Sequence, residues 1–147
     1  MFKNILIPTD GSKLSLKAVN AGVALAKSLN AAVIGCYVVE PVQPYYFGEY
    51  IPPNLPTPKE YEQHAREAGE KYLAQIEAAA RAAGLKYRGS VVTAPTPYEG
   101  IISAAKKGGC DLIFMASHGR RGLSGLLLGS ETHKVLTHSK IPVLVSR

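Results

Sequence analysis

A glycine-rich, basic stretch at residues 115–131 contains the residue types and spacing best suited to ligand chemistry. It reads M-A-S-H-G-R-R-G-L-S-G-L-L-L-G-S-E and follows an apolar run at residues 112–114. A strand, a glycine loop and a helix start together form an arrangement that binds phosphate, because N–H groups at a helix N-terminus are unpaired and partly positive. Glycine also lets the backbone approach a ligand closely. The stretch therefore predicts a nucleotide-phosphate site.

Polar side chains within this stretch add to the predicted site. Ser130 stands where a helix N-cap is expected, so its hydroxyl would lie near a bound anion. Arg120 and Arg121 supply positive charge beside it. His118 is a candidate phosphate contact, and the alternative for it is a hydrogen bond within the loop.

Strand and helix patterns alternate along the rest of the chain. Apolar runs bounded by turn residues predict strands at residues 3–8, 32–39, 87–93, 111–115 and 141–145. Helical periodicity fills the intervals, with start signals at Ser12, Thr57 and Thr96. We therefore expect an α/β fold in one domain over residues 1–147: an open, five-stranded, mostly parallel, Rossmann-like sheet with helices on both faces.

The predicted sheet brings separate segments to one edge. Ligands of such sheets bind beyond the carboxyl ends of the strands, where the strand order reverses. Thr9 and Asp10 follow the first strand, Val38 lies at the end of the second, and the glycine loop follows the fourth. These segments therefore converge on the predicted nucleotide site. The alternative for Asp10 is an Asx turn or a helix cap.

The charge distribution favours an anionic ligand. The net charge is +6, and residues 1–83 hold eight basic and eight acidic side chains. The whole surplus lies in residues 84–147, the half that contains the glycine loop. A solvated basic surface is the alternative explanation. Nucleic acid is not expected as a partner, because the chain has no nucleic-acid-binding motif and no aromatics interleaved with its basic residues.

The sequence lacks the residue patterns of several enzyme classes. It contains neither a P-loop lysine motif nor G-x-S-x-G, and no carboxylate pair follows the glycine loop to hold Mg²⁺ and activate water. The histidines show no spacing for a shared metal ion. We therefore assign no catalytic and no metal-binding residues, and we expect at most slow ATP hydrolysis.

Other segments predict location and packing. Residues 41–58 contain six prolines and four aromatics, which predict a long loop that is either a lid or partner surface or a packed crossover.

Cys36 and Cys110 lie in or beside apolar runs and are expected to be buried thiols. No run approaches the ~18 apolar residues of a membrane span, and no signal peptide precedes the first strand, so a cytoplasmic protein is expected.

These residues resemble the universal stress protein family along essentially the whole chain. The family's nucleotide motif, G-x2-G-x9-G-[ST], has the spacing that runs here from Ala116 through Gly119 to Gly129 and Ser130. The opening I-L-I-P-T-D-G-S and the ending I-P-V-L-V are also similar. Ala116 departs from the motif, since the family has glycine there. Its methyl group is expected to narrow the room beside the ribose and to weaken binding without abolishing it.

The resemblance implies a homodimeric protein that binds ATP or AMP, with Mg²⁺ compatible with ATP, and that acts in stress response with an unidentified protein partner. It implies a site whose adenine and ribose part is formed by Pro8, Thr9, Asp10, Val38, Met115 and Ala116. It implies a phosphate part formed by His118, Gly119, Gly129, Ser130 and the N–H of Glu131. We add Arg120 from its charge and position.

An apolar strand at the C-terminal end of the chain is a natural surface for pairing with a second copy. The resemblance implies a dimer through the same residues, Val143, Leu144 and Val145. Two alternatives to a nucleotide-binding regulatory module stay open. One is a weak ATPase or nucleotide-transferring enzyme on the same fold, and the other is a dimeric interaction protein with an empty nucleotide site.

Overall fold

The computed structural model describes residues 1–42, 54–120 and 128–147. Most of the proline-rich segment at residues 41–58 and part of the glycine loop, including Arg121, lie outside them. Strands and helices alternate in the order β1 (Asn4–Pro8), α1 (Lys13–Leu29), β2 (Ala32–Val39), α2 (Pro58–Ala82), β3 (Tyr87–Thr93), α3 (Pro97–Lys107), β4 (Leu112–Ala116), α4 (Ser130–His138) and β5 (Val143–Ser146). The predicted alternation is confirmed, and strand ends differ from the prediction by at most two residues.

The strands form one five-stranded sheet in the order β3-β2-β1-β4-β5. All four pairings between neighbouring strands are parallel. The chain adds β2 and β3 on one side of β1 and then crosses over to add β4 and β5 on the other. The strand order therefore reverses at β1, and the carboxyl ends of β1 and β4 lie side by side at the reversal.

The helix start signals of the sequence mark three of the four helices. Ser12 caps α1 by accepting a hydrogen bond from the Ser15 N–H, and Thr57 forms a reciprocal capping box with Glu60 at the start of α2. Thr96 occupies the N-cap position of α3, but its side chain accepts no backbone hydrogen bond there. Its helix start is therefore correctly located, whereas the expected capping bond is missing.

Apolar side chains cover both faces of the sheet, as the continuous apolar strands predict. On one face, Ile5, Ile7 and Phe114 pack with buried side chains of α1 and α2. On the other face, Leu6 and Ile113 pack with buried side chains of α3 and α4. None of the described helices is long and apolar enough to cross a membrane.

The two cysteines are buried in the core on the α3 and α4 face, as expected, and neither forms a disulfide. Burial raises the pKa of Cys36 to about 12, with a smaller contribution from Cys110, and burial raises the pKa of Cys110 to about 11. A free thiol has a pKa near ~8.5, and only the thiolate reacts.

We therefore predict that both thiols resist labelling by Ellman's reagent at pH 8 in the folded protein. Labelling is expected to be at least about a hundredfold slower than in denaturant, because both groups stay protonated far above pH 8. Stopped-flow absorbance in native buffer and in guanidinium measures the ratio. Rapid labelling of either thiol in native buffer would contradict this assignment.

Candidate functional site

One carboxylate joins the two loops that meet beyond β1 and β4. Asp10 follows β1, and its Oδ1 accepts a hydrogen bond from the Ser12 N–H at 2.9 Å. Its Oδ2 accepts a hydrogen bond from the Arg120 N–H at 2.7 Å, across 110 positions of sequence. Asp10 thus forms the Asx turn considered from the sequence and also braces the glycine loop.

The backbone at Gly119 must come close to Asp10 for this bond to form. A Cβ atom at Gly119 would lie 2.5 Å from Asp10 Oδ2. A side chain at this position would therefore push the carboxylate away from the Arg120 N–H. The second motif glycine has a structural role in addition to the phosphate role that the family resemblance implies.

A hydroxyl pair supports the loop after β1. The Ser15 hydroxyl of α1 donates to Thr9 Oγ1 at 2.8 Å, and the Asp10 N–H donates to Ser15 Oγ at 3.3 Å. Ser15 is buried, and sequence reasoning did not select it. It stands three residues after the cap at Ser12, but nothing in that spacing indicates that it reaches back to Thr9.

An aromatic side chain of α2 forms the rim of this edge. The Tyr72 ring packs over Gly11, which has φ +79° and leaves no room for a Cβ. The Arg120 guanidinium lies 5.5 Å from the centroid of the same ring, within the range of a cation–π contact. Arg120 therefore lies at the predicted site with its charge against α2. Tyr72 was missed as a site residue because its helical periodicity indicates only a packing face.

The end of β4 is anchored by the backbone of Ser117. Its N–H donates to Ser146 O at 2.8 Å, and its carbonyl accepts from the Gly129 N–H at 2.7 Å. The second bond places the start of α4 beside the end of β4. Ser117 Oγ lies 3.1 Å from His118 Nδ1, so His118 makes the loop hydrogen bond considered as its alternative role. The buried His118 Nε2 has no hydrogen-bond partner among the described residues.

The prediction of Ser130 as the N-cap of α4 is wrong. Gly129 occupies that position, with φ −69° and ψ 155°, and no side chain caps the helix. Ser130 is the first helical residue and is exposed. The chain turns into the helix one residue earlier than expected because Gly129 is already fixed to Ser117. The hydroxyl that ties α4 to β4 is that of buried Thr132, which donates to Ala116 O at 3.0 Å.

Glu131 points its carboxylate away from the glycine loop. Its Oε2 accepts from the Tyr98 N–H at 2.9 Å, and its Oε1 accepts from Lys134 Nζ at 2.7 Å. It thereby satisfies a free N–H in the first turn of α3, where Thr96 makes no capping bond. The family resemblance assigns only the backbone N–H of Glu131 to the phosphates, and the carboxylate has no part in that assignment.

The remaining predicted residues are backbone neighbours of the site, and three of them have side chains in or against the core. Pro8 ends β1 and Ala116 ends β4. Val38 and Met115 pack in the α3-side core. Ala116 packs in the core on the α1 and α2 face, and its φ lies outside the left-handed region, so alanine is accommodated there without backbone strain.

The basic residues of the second half are divided between the two edges of the sheet. Five of its nine basic residues precede a strand, lie early in one or end a helix, which places them toward the opposite edge: Lys86, Arg88, Lys106, Lys107 and Lys140. Arg120 follows β4 and Arg147 follows β5 at the carboxyl edge, and Lys134 lies in α4. No group of three or more potential metal-ligating side chains occurs within the part of the chain that the structure describes.

Comparison with known proteins places the whole chain in one group. The family model described as the universal stress protein family matches residues 1–147. A universal stress protein of Methanocaldococcus jannaschii is 33% identical over 148 residues, covering 99% of this chain and 82% of that protein.

Solved structures share the fold. A protein of Methanocaldococcus jannaschii has a TM-score of 0.77 at 29% identity and covers 99% of this chain and 95% of its own. A universal stress protein in complex with cAMP has a TM-score of 0.72 at 24% identity, covering 99% of this chain and 97% of its own. A universal stress protein from Archaeoglobus fulgidus in complex with dAMP has a TM-score of 0.68 at 14% identity, and it covers 99% of this chain and 98% of its own.

We predict that Asp10→Asn releases the glycine loop. The amide keeps one acceptor oxygen, which the local Asx turn to the Ser12 N–H retains, so its NH₂ group faces the Arg120 N–H. The Arg120 N–H should therefore exchange with solvent at least about tenfold faster. The free energy of unfolding should fall by about 1 kcal/mol, as for one partly exposed hydrogen bond. Amide exchange by NMR and urea denaturation measure the two effects.

Asp111→Asn is the matched control. Asp111 also accepts two backbone N–H groups, from Lys3 at 2.8 Å and Asn4 at 3.0 Å, but at the other edge of the sheet. The Asp111→Asn variant should lose a similar free energy of unfolding, with no change in the exchange rate of the Arg120 N–H. Unchanged Arg120 exchange in Asp10→Asn would show that the carboxylate does not hold the loop.

Proposed function

This chain belongs to the universal stress protein family, and we propose that it is a cytoplasmic stress-response regulatory protein that binds ATP or AMP at the edge where β1 and β4 end. The observation that carries this proposal is the Asp10 hydrogen bond to the Arg120 N–H. It holds the glycine loop against the loop after β1, beside the start of α4. Two segments of the predicted site are thereby placed together.

The phosphate part of the proposed site is built mainly from backbone. The N–H groups of Ser130 and Glu131 belong to the first turn of α4, where helical acceptors are missing and the helix dipole is positive. The exposed Ser130 hydroxyl takes no part in capping and is left for a phosphate oxygen. Gly119 and Gly129 keep the approach free of side chains. His118 Nε2 would gain a partner from the ligand.

The adenosine part of the proposed site lies at the ends of β1, β2 and β4. Asp10 retains acceptor capacity for a ribose hydroxyl, because each carboxylate oxygen has a second lone pair. The strand-end residues Pro8, Thr9, Val38, Met115 and Ala116 would border the adenine and ribose. The cAMP and dAMP complexes of family members with the same fold support an adenine nucleotide as the ligand class.

A binding role is favoured over catalysis by the hydrogen bonds of the nearby carboxylates. Asp10 accepts two backbone N–H groups, and Glu131 accepts from the Tyr98 N–H and from Lys134. Both carboxylates are therefore committed to structure, which disfavours them as water-activating bases. Mg²⁺ would accompany ATP through its phosphates. Arg120 would reach the phosphates by leaving the Tyr72 ring.

A dimer is proposed through β5, the edge strand next to β4. Leu144 lies opposite Phe114 in the register and is 40% exposed. Val143 and Val145 point to the other face and are half-buried. An apolar edge strand with an exposed leucine is suited to pairing with a second copy.

We predict saturable one-to-one binding of ATP or AMP by calorimetry, with ATP recovered intact afterwards. Ser130→Ala should weaken the affinity by about three- to tenfold through the loss of one hydrogen bond to a phosphate. It should change the free energy of unfolding by less than about 0.5 kcal/mol, because its hydroxyl caps nothing. The matched control is Ser103→Ala in α3, which should change neither quantity.

Three results would contradict the proposed function. If ATP and AMP gave neither a heat of binding nor a thermal shift, the dimeric interaction protein with an empty nucleotide site would be the remaining interpretation. Steady Mg²⁺-dependent conversion of ATP to ADP would favour the enzyme. Equal affinities of Ser130→Ala and Ser103→Ala would place the phosphates elsewhere.

We predict that Leu144→Glu converts the protein to a monomer, because a charge would be buried in the paired edge. Light scattering after size exclusion measures the mass. Leu55→Glu is the control, since Leu55 is 43% exposed and precedes α2, away from β5. A parent protein that is already monomeric, or an unchanged dimer in Leu144→Glu, would refute the β5 interface.

A further inference from the structure

A cavity opens at the edge of the sheet opposite the proposed nucleotide site. Its volume is about 540 Å³, and its lining consists of Asn4, Ala32, Val33, Arg81, Leu85, Lys86, Tyr87 and Arg88. Asn4, Ala32 and Tyr87 are the first residues of β1, β2 and β3. With a rise of ~3.3 Å per residue, the length of a strand separates this cavity from the glycine loop.

The charged side chains of the cavity lining are all basic. Arg81, Lys86 and Arg88 contribute cations, and no carboxylate is among the lining residues. Arg81 donates from Nε and Nη2 to Glu77 Oε1 at 2.9 and 2.7 Å, which leaves its other N–H groups available. Arg88 donates one N–H from Nη2 to Gly108 O at 3.1 Å. The lining therefore keeps several free donors and an excess of positive charge.

Lys86 has the least structural explanation of the three cations. It forms no ion pair within the described ranges, and it lies in the connection between α2 and β3. Basic side chains in a last helical turn are explained by the negative end of the helix dipole, as for Arg81 in α2 and Lys107 in α3. Arg88 is explained in a related way, because its Nη2 donates to the carbonyl of Gly108, the C-cap of α3. Lys86 belongs to no helix and makes no described side-chain hydrogen bond to one, so this explanation does not cover it.

The remainder of the lining is apolar or already hydrogen-bonded. Ala32 and Leu85 provide apolar surface, whereas Val33 is fully buried, and its N–H donates to Lys86 O at 2.9 Å. The Tyr87 hydroxyl donates to Leu73 O at 3.0 Å. A phenol is neutral at neutral pH even at its ordinary pKa of about 10, and burial, with Glu77 adding to it, raises the pKa of Tyr87 to about 12. A concave apolar surface with a few convergent donors is typical of small-molecule sites.

We propose that this cavity binds a small phosphorylated molecule, with Lys86 and Arg88 holding the phosphate and the apolar surface contacting the rest. Arg and Lys are the side chains that recognise phosphate through charge-assisted hydrogen bonds. The apolar surface of Ala32 and Leu85 beside these cations suits an organic part of the ligand. This site is separate from the proposed nucleotide site and does not depend on it.

The test is a titration of the ¹⁵N-labelled protein with inorganic pyrophosphate, followed by NMR. Saturable shifts are expected at the amides of Ala32, Val33 and Tyr87, with a dissociation constant distinct from that of any shifts near Ser117. Lys86→Gln should weaken this binding by about fivefold or more through loss of one charge-assisted contact. The fold should be retained, because the Lys86 side chain holds no described hydrogen bond.

Lys107→Gln is the matched control, because it removes the same charge from the same edge outside the cavity. The affinity of the Lys107→Gln variant for pyrophosphate should stay within about twofold of that of the parent protein. Equal weakening by Lys86→Gln and Lys107→Gln would show a diffuse attraction to a basic surface and overturn the site. Shifts confined to residues near Ser117, or no saturation, would overturn it as well.

Discussion

The Asp10 carboxylate is the constraint on which the candidate site depends. Its two oxygens accept N–H groups from segments 110 positions apart, one starting α1 and the other within the glycine loop. Because the carboxylate must approach the loop so closely, residue 119 has no room for a side chain. The loop after β1 is then fixed from the other side by the buried hydroxyl of Ser15. The two loops therefore form one unit, and a change in either is felt by the other.

Many polar side chains near this unit serve the fold itself. Asp10 braces a loop, Glu131 satisfies an N–H of α3, Thr132 fastens α4 to β4, and Ser15 supports Thr9. Among the described residues, the groups near this unit that the fold leaves without a partner are backbone N–H groups of the first turn of α4 and one ring nitrogen of His118, and the Ser130 hydroxyl caps nothing. Such a set can hold an anion, but it offers little that could move a proton or activate water.

The parallel sheet gives the molecule two chemically different edges. The start of α4 faces the carboxyl edge, and helix starts attract anions through their free N–H groups. Helices α2 and α3 end at the amino edge, where the dipole explains Arg81 and Lys107, and where Arg88 donates to the C-cap carbonyl of α3. Five of the nine basic residues in the second half of the chain are thus separated from the glycine loop by the length of a strand. The total charge alone could not distinguish the two edges.

The sequence by itself determined the order of elements, the parallel sheet and the family, and it predicted the edge at which the proposed site lies. These follow from local properties: apolar runs, turn residues and the capping patterns at Ser12 and Thr57 depend on near neighbours in the chain. In the same way, the spacing of Gly119 and Gly129 predicted a loop between β4 and α4.

Tertiary structure alone decided how the side chains are used. Asp10 reaches Arg120 and Glu131 reaches Tyr98 because the sheet order places distant loops together. The helix start at Gly129 instead of Ser130 reflects a bond to Ser117, a partner that no local pattern indicates. The location of the basic surplus was decided in the same way, since sequence halves do not correspond to sheet edges. Contacts between remote segments depend on topology, and short-range sequence patterns do not encode them.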